Sequence, residues 1–211
     1  MLHDLTQIPS PLDFNELFGR PGPVEIEIGV GKGRFLKEYA LAFPAKNLIG
    51  IEKSRKWLLH AQERLEKANV TNVCLFVAFA ESFLAGFVPD ASVEVYHVYF
   101  PDPWPKRRHH KRRLFGPRFL GEAIRTLVPD GAIHIATDHE EYLSLISSEL
   151  ASAAREGLTF ERVARGPFVT NFQAKYEKEG RPIYFLRGTK TGPSPAPSRR
   201  SNEISAPSDV P

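Results

Sequence analysis

The chain alternates between segments of period two and segments of helical period. Val24-Glu25-Ile26-Glu27-Ile28 alternates apolar with acidic and meets Gly29-Val30-Gly31-Lys32-Gly33, which reads as strand, glycine turn and helix start. Phe35, Leu36, Tyr39 and Phe43 continue at helical spacing. Leu48 to Glu52 reads as a second strand, and Trp57, Leu58, Ala61, Leu65 and Ala68 mark the apolar face of a second helix, with Trp57 assigned to the core. Val73 to Val77 and Val93 to Tyr99 are the third and fourth strands. Phe119, Leu120, Ala123, Ile124 and Leu127 predict a helix, closed by Pro129-Asp130-Gly131. Ala132 to Ala136 is a fifth strand and Tyr142 to Ala154 a helix. Phe160 to Val163 and Ile183 to Leu186 read as two last strands across a polar connection. Strands alternating with helices predict an α/β fold, a parallel sheet with helices on both faces.

The flanks differ from this pattern. Residues 1–22 are polar and Pro-containing and read as an N-terminal arm, 23–188 as the domain, and 189–211, rich in Pro and Ser, as a disordered tail. At 211 residues and 42% hydrophobic, the chain has enough apolar material for one large core. Its single cysteine, Cys74, excludes an internal disulfide and a Cys-rich zinc site, and sits in an apolar run as a small buried hydrophobe. The start lacks the apolar stretch of a signal peptide, and no run reaches the ~18 apolar residues of a membrane span. The chain reads as cytoplasmic, with no membrane.

Formal net charge is only +3, but the cations are concentrated. Lys106 to Arg113 holds six Lys/Arg and two His in eight residues, directly after Phe100-Pro101-Asp102-Pro103-Trp104-Pro105. The prolines fix their own φ and bias Phe100, Asp102 and Trp104 toward extended backbone. Such a cluster repels itself and calls for an anionic partner; alone it is equally a solvated loop or a localisation-type signal. A carboxylate and an indole on a stiff loop beside it suit a nucleotide base and its phosphates. His109 and His110 belong with that face rather than with a metal, since no third ligand has a usable spacing.

In open α/β sheets the ligand lies beyond the carboxyl ends of the strands, where the glycine turn falls. The spacing here is G-x-G-x-G, with Arg34 where a dinucleotide fingerprint would place its last glycine. Glu52, ending the second strand, can take both hydroxyls of a ribose. Glu27, before the turn, disfavours a pyrophosphate and suits a cationic, amino-bearing ligand. S-adenosylmethionine fits these features better than a dinucleotide.

Glu27-Ile28-Gly29-Val30-Gly31-Lys32-Gly33, Gly50-Ile51-Glu52, the Pro-Asp-Pro-Trp segment with its basic run, Ala136-Thr137-Asp138 and Thr170-Asn171-Phe172-Gln173 occur in this order. Together, over residues 24–187, they resemble the bacterial tRNA (guanine-N7-)-methyltransferases, which methylate guanosine 46 in the tRNA variable loop. The resemblance implies a class I, Rossmann-like methyltransferase fold with a seven-stranded, mostly parallel sheet and an antiparallel last strand. It implies S-adenosylmethionine as methyl donor, tRNA as substrate, no metal and no obligatory protein partner. On matching positions it implies Glu27, Gly29, Gly31, Gly33, Glu52, Phe79 and Asp102 at the donor site, with Asp102 also catalytic. Lys106, Asp138, Thr170, Asn171, Phe172 and Gln173 are implied as substrate-binding, and Arg107, Arg108, Lys111, Arg112 and Arg113 as RNA phosphate contacts.

Two positions depart from the family's pattern. Phe79 precedes Ala80 where an Asp is usual near the adenine; Phe79 can stack or pack, and Glu81 is close enough to substitute. Gln173 replaces a Glu and brings hydrogen bonds without charge. Asp138, after Thr137 and three residues before Glu141, also forms a capping-box pattern, compatible with a substrate role. Lys175, Lys178 and Arg181 flank a turn at Gly180 and either extend the RNA surface or are solvated. The rival readings are a small-molecule methyltransferase, which has no need of the basic run, and a non-catalytic RNA-binding protein.

Overall fold

The structure, a computed structural model, describes residues 2–192. Eight strands form one sheet: β1 (Leu2–His3), β2 (Val24–Ile28), β3 (Asn47–Glu52), β4 (Val73–Val77), β5 (Val93–Tyr99), β6 (Leu127–Thr137), β7 (Leu158–Arg162) and β8 (Tyr184–Lys190). Their order is β1-β4-β3-β2-β5-β6-β8-β7, parallel except for β8, which runs antiparallel to β6 and β7. The helices are α1 (Phe14–Phe18), α2 (Arg34–Ala42), α3 (Arg55–Lys67), α4 (Ala80–Phe87), α5 (Pro117–Thr126), α6 (Glu140–Ser152) and α7 (Asn171–Lys178).

The two crossover directions set the layers. The chain steps from β2 outward through α2 and α3, whose Leu36, Ala40, Leu58, Ala61 and Leu65 bury against Val30, Leu48 and Leu75. It then returns to β5 and steps the other way, so α4, α5 and α6 bury Phe83, Phe119 and Ile146 on the opposite face with Ile26, Tyr96, Val98 and Ile133. The reversal falls between β2 and β5, which are neighbours. It opens the crevice at the carboxyl ends where the glycine turn lies.

Several elements depart from the pattern expected of the sequence. The arm is not wholly irregular: Leu2 and His3 add an eighth, edge strand against Leu75 and Phe76, and α1 is capped by the Asp13 carboxylate. α7 arises in the stretch read as a polar connection, and α4 in a stretch given no element; α4 has 8 residues, about two turns, a pattern too brief to separate from loop. β6 begins at Leu127, taking in Pro129-Asp130-Gly131 as an irregularity where the register against β5 shifts. β8 runs to Lys190, whose buried ammonium donates to the Leu127 carbonyl (2.7 Å). The expected tail lies otherwise outside the described residues. Trp57 is not core: it is 39% exposed on the outer side of α3. Cys74 is buried, as its run predicts.

The alternation of β2 suggests a half-solvated strand, yet every residue of it is buried, the two glutamates included. Glu25 and Glu27 face α2 along with His97 and Tyr99 of β5. The Glu25 carboxylate accepts from Lys46 and from His97 Nε2 (2.7 Å). Since an ionised carboxylate can only accept, His97 carries its proton on Nε2, and its Nδ1 accepts from the Tyr99 hydroxyl (3.0 Å). Burial raises the Glu25 pKa, but His97 and Lys46 outweigh it and hold the group down at about 2. Burial lowers His97 and takes His134 beside it down to about 4. Phe35, Tyr39, Phe43 and Phe168 close over this layer.

Both types of group destabilise the fold in acid. The unfolded chain protonates its histidines near 6.5 while the folded one resists, and below about 4.5 the unfolded Glu25 takes a proton that the folded one refuses until about 2. Urea unfolding midpoints should therefore fall from pH 7 to pH 5 and fall again below 4.5. Glu25→Gln should cost about 1–3 kcal/mol at pH 7 and flatten the lower limb; an unchanged lower limb would assign it to other carboxylates.

Candidate active site

Three adjacent strands, β3, β2 and β5, deliver their carboxyl ends to one place. After β2 the chain makes a turn with Gly29 (φ +83°), Gly31 (+52°) and Gly33 (+69°) all in the left-handed region. At Gly33 a second constraint applies, since a Cβ there would lie 2.7 Å from the Ala61 Cβ of α3. The turn is held to β3 by Gly29 N–H on the Ile51 carbonyl (2.8 Å) and Gly31 N–H on Glu52 Oε2 (3.1 Å). The other oxygen of Glu52 accepts from Ser54 N–H (2.9 Å), so the side chain is fixed at the strand end with lone pairs to spare.

Glu27 is different. It is buried beneath the turn, and its Oε2 has no hydrogen-bond partner among the described residues. Burial, reinforced by the charge of Glu52, pushes its carboxyl well above the usual range. A buried acid with no partner destabilises a fold, and such groups gather where a ligand completes them.

β5 supplies the third wall. Asp102, exposed just beyond its end, accepts from Lys53 Nζ (2.8 Å), the residue after Glu52. Phe100 and Trp104 do not take the extended backbone expected before proline: their φ angles are +53° and +44°. Each such left-handed residue costs of order 1–3 kcal/mol and persists only where its surroundings over-determine it. Here the surroundings are aromatic and cationic. Phe100 packs on Tyr176 and Phe172 of α7 (ring centroids 5.5 and 6.4 Å). The Trp104 ring lies between Lys53 (5.4 Å) and the Arg112 guanidinium (5.0 Å), with His109 edge-on.

The basic run forms a 3-10 turn over Arg107–Arg112, with Lys106 at its start, and Arg107, Arg108, Lys111 and Arg112 are exposed. Arg113 differs from these neighbours in being buried. Its guanidinium is turned inward over Tyr142, and donates to the Pro103 carbonyl (2.7 Å) and to Glu141 (2.8 Å). It ties the proline loop to α6 through Nε and Nη2.

A sequence-family profile described as "Putative methyltransferase" matches residues 21–186. The tRNA (guanine-N(7)-)-methyltransferase of Halorhodospira halophila (strain DSM 244 / SL1) is 36% identical over 170 residues, covering 80% of this chain and 74% of that protein. The chain belongs to the tRNA (guanine-N(7)-)-methyltransferase family. Its counterpart in Thermotoga maritima (strain ATCC 43589 / DSM 3109 / JCM 10099 / NBRC 100826 / MSB8) is 34% identical over 181 residues, 85% of this chain but 58% of the relative. The match to the Alkalilimnicola ehrlichii protein of the same name spans 56% of that relative's length. Among solved structures, the 16S rRNA methyltransferase KamB superposes with a TM-score of 0.64 at 16% identity, covering 85% of this chain and 93% of that one. That likeness is one of fold.

For a member of this family the remaining motif residues are placed as follows. Phe79 starts α4 and is 68% exposed at the end of β4. Asp138 does not cap α6; the cap is His139, whose Nδ1 accepts from Tyr142 N–H (3.3 Å). Asp138 pairs instead with Arg181, whose guanidinium also lies 4.1 Å from the Tyr176 ring centroid. A residue grouped with the Gly180 turn thus joins the site. Thr170 caps α7 through Gln173 N–H (2.9 Å), and Asn171 is half-buried beside it. Gln173 points inward, bonded to Glu177 (2.9 Å) and lining a cavity of about 230 Å³ with Tyr99, His134 and Phe168. Phe172 is 51% exposed and stacks on Tyr176. Lys53 was missed by motif reading; its one signal was adjacency to Glu52. Among the described residues no group of three or more His, Cys, Asp or Glu could hold a metal, and no helix is long and apolar enough to cross a membrane.

The unpartnered acid gives a test with a defined sign. A folded-state pKa raised above about 4.5 contributes stability at low pH that is lost as pH rises through the folded value. Glu27→Gln should raise the melting temperature of the ligand-free protein at pH 8 by a few degrees, about 1 kcal/mol, with little effect at pH 5. A lower melting temperature at pH 8 would mean that Glu27 is structurally satisfied.

Proposed function

We propose that this protein transfers a methyl group from S-adenosylmethionine to N7 of guanosine 46 in the variable loop of tRNA. The observation that carries the reading is Glu27, a buried carboxyl without a partner under a left-handed glycine turn, one strand away from a proline loop that leads into exposed cations. The chemistry of that donor set fits S-adenosylmethionine. Glu27 offers an acceptor to its ammonium, Glu52 has free lone pairs for ribose hydroxyls, the glycines admit close backbone approach, and Phe79 offers a face to the adenine. When bound, S-adenosylmethionine supplies an electrophilic methyl group on a sulfonium sulfur.

Guanine N7 has a lone pair and no proton, so this chain needs no general base. Its residues must align the base and stabilise the positive charge that develops on it. Positioning contributes up to ~7–11 kcal/mol in the best cases. Asp102 brings the negative charge, at the end of β5 beside the donor site, and Lys53 holds it there. Phe172, Tyr176 and Arg181 form a shelf for stacking, with Asp138 at its edge. Lys106, Arg107, Arg108, Lys111 and Arg112 face solvent as phosphate contacts. Gln173, turned inward, acts on the placement of α7 rather than on the base.

Incubation with unmodified tRNA and labelled donor should yield 7-methylguanosine on nucleoside analysis; methylation of another atom or of no RNA would overturn the reading. In single-turnover assays at saturating tRNA and donor, Asp102→Ala should lose about 10²-fold or more, the equivalent of ~3 kcal/mol of charge-assisted stabilisation. Asp102→Asn should be almost as damaging if charge dominates, and much milder if positioning does. Near-wild-type rates for Asp102→Ala would remove the residue from the mechanism.

Arg113→Ala should act differently from its neighbours. Loss of its bonds to Pro103 and Glu141 should lower the single-turnover rate while leaving the salt dependence of tRNA binding unchanged. Lys111→Ala with Arg112→Ala should lower the log–log salt slope by about 0.7–0.9 per lost phosphate contact. Equal slope losses for Arg113→Ala would restore it as a phosphate ligand.

A further inference from the structure

A second cationic surface lies away from the proline loop, on the outer side of α2 and α3. It is a shallow groove of about 710 Å³, lined by Lys32, Lys37, Lys56, Trp57, Arg64 and Lys67. The spacing on α3 explains it: Lys56, His60, Arg64 and Lys67 recur at three- and four-residue steps and so share one helix face. The opposite wall comes from α2 and the glycine turn. The approach of Gly33 to Ala61 brings Lys32 to 5.2 Å from the Trp57 ring centroid, with Lys56 at 5.7 Å.

Five cations thus line the groove against one carboxylate, Glu63, which is already paired with Lys67 (2.6 Å). Lys32, Lys37, Lys56 and Arg64 have no carboxylate within ion-pair distance among the described residues. An amphipathic helix ordinarily interleaves charges of both signs on its exposed face, as Arg34–Glu38 does nearby. The groove does not. Trp57 adds a large aromatic surface, 39% exposed, between two ammonium groups. Cations that follow a track, with an aromatic face beside them, are what a nucleic-acid backbone and an unstacked base require. From Lys56 to Lys67 the track runs roughly 16 Å along the helix axis, enough to pass several phosphates. Lys32 places its upper end at the glycine turn itself, so a strand entering the site could continue into it.

We propose that this groove is a second tRNA contact, in which Lys37, Lys56, Arg64 and Lys67 hold phosphates and Trp57 stacks an unpaired base. The inference rests on the tRNA reading of the site, but its test does not depend on turnover. Binding of unmodified tRNA should be measured by fluorescence anisotropy across a salt series for Lys56→Gln/Arg64→Gln and for Trp57→Ala. Lys56 and Trp57 are exposed and Arg64 is half-buried at the rim of the groove, so melting temperature and S-adenosylmethionine affinity serve as folding controls and should not change. The double variant should reduce the log–log salt slope by about 1.4–1.8, two phosphate contacts. Trp57→Ala should weaken tRNA by at least about fivefold with the slope unchanged. In turnover, KM for tRNA should rise with kcat held.

Unchanged affinity and slope in both variants would overturn the proposal and make the groove a solvated face. So would unchanged tRNA affinity accompanied by lost binding to phosphatidylserine vesicles, which would point to a membrane surface. If wild type forms no 7-methylguanosine while the variants lose tRNA affinity as stated, the groove stands and the proposed reaction falls. If wild type methylates tRNA and the variants bind like wild type, the reaction stands and the groove falls.

Discussion

The central strand of this sheet carries two carboxylates on a face that is fully covered, and the rest of the structure accommodates that constraint. Leaving a charge there unpaired would be costly, because a low-dielectric interior penalises ions several kcal/mol each. Glu25 is accommodated by Lys46 and by the His97–Tyr99 chain, and a lid of aromatic rings closes over it. Glu27, two residues on, receives no such provision. One strand therefore holds a satisfied and an unsatisfied acid on the same face. The difference between them separates the part of the site that builds the fold from the part that waits for chemistry.

The proline loop shows the same division. Prolines alone would have set an extended, unstrained segment, but the backbone turns left-handed at Phe100 and Trp104. That geometry is held from three directions: α7 rings under Phe100, Lys53 and Arg112 around Trp104, and Arg113 bonded to the Pro103 carbonyl. One arginine of a solvent-facing run is thus spent inside, as the anchor that allows its neighbours to remain outside.

Much of the sheet was legible from period alone, because β2, β3, β4 and β5 are long, apolar and bounded by clear turns. The glycine turn and its two glutamates were legible because strand-end acids beside a glycine turn have few structural uses. What period could not give were facts settled across the sheet. Trp57 fits an apolar stripe by spacing, yet its ring turns outward, beside the ammonium groups of Lys32 and Lys56. Asp138 matches a capping box, but Arg181, forty-three residues away, takes it, and His139 caps the helix. Arg113 looks like any member of a basic run until the chain folds back on Pro103. α7 lacks an apolar stripe of its own, and Thr170 starts it by capping.

Gly33 and Ala61 meet at a distance that no Cβ on residue 33 could keep. The two positions therefore share one volume, and their side-chain sizes are not independent variables. Among relatives, a larger residue at either should be accompanied by a shift of the whole α2–α3 seam, which would carry the glycine turn away from Glu52. Any redesign of the donor pocket through this turn is thus also a redesign of the helix behind it, and the two must be altered as a pair.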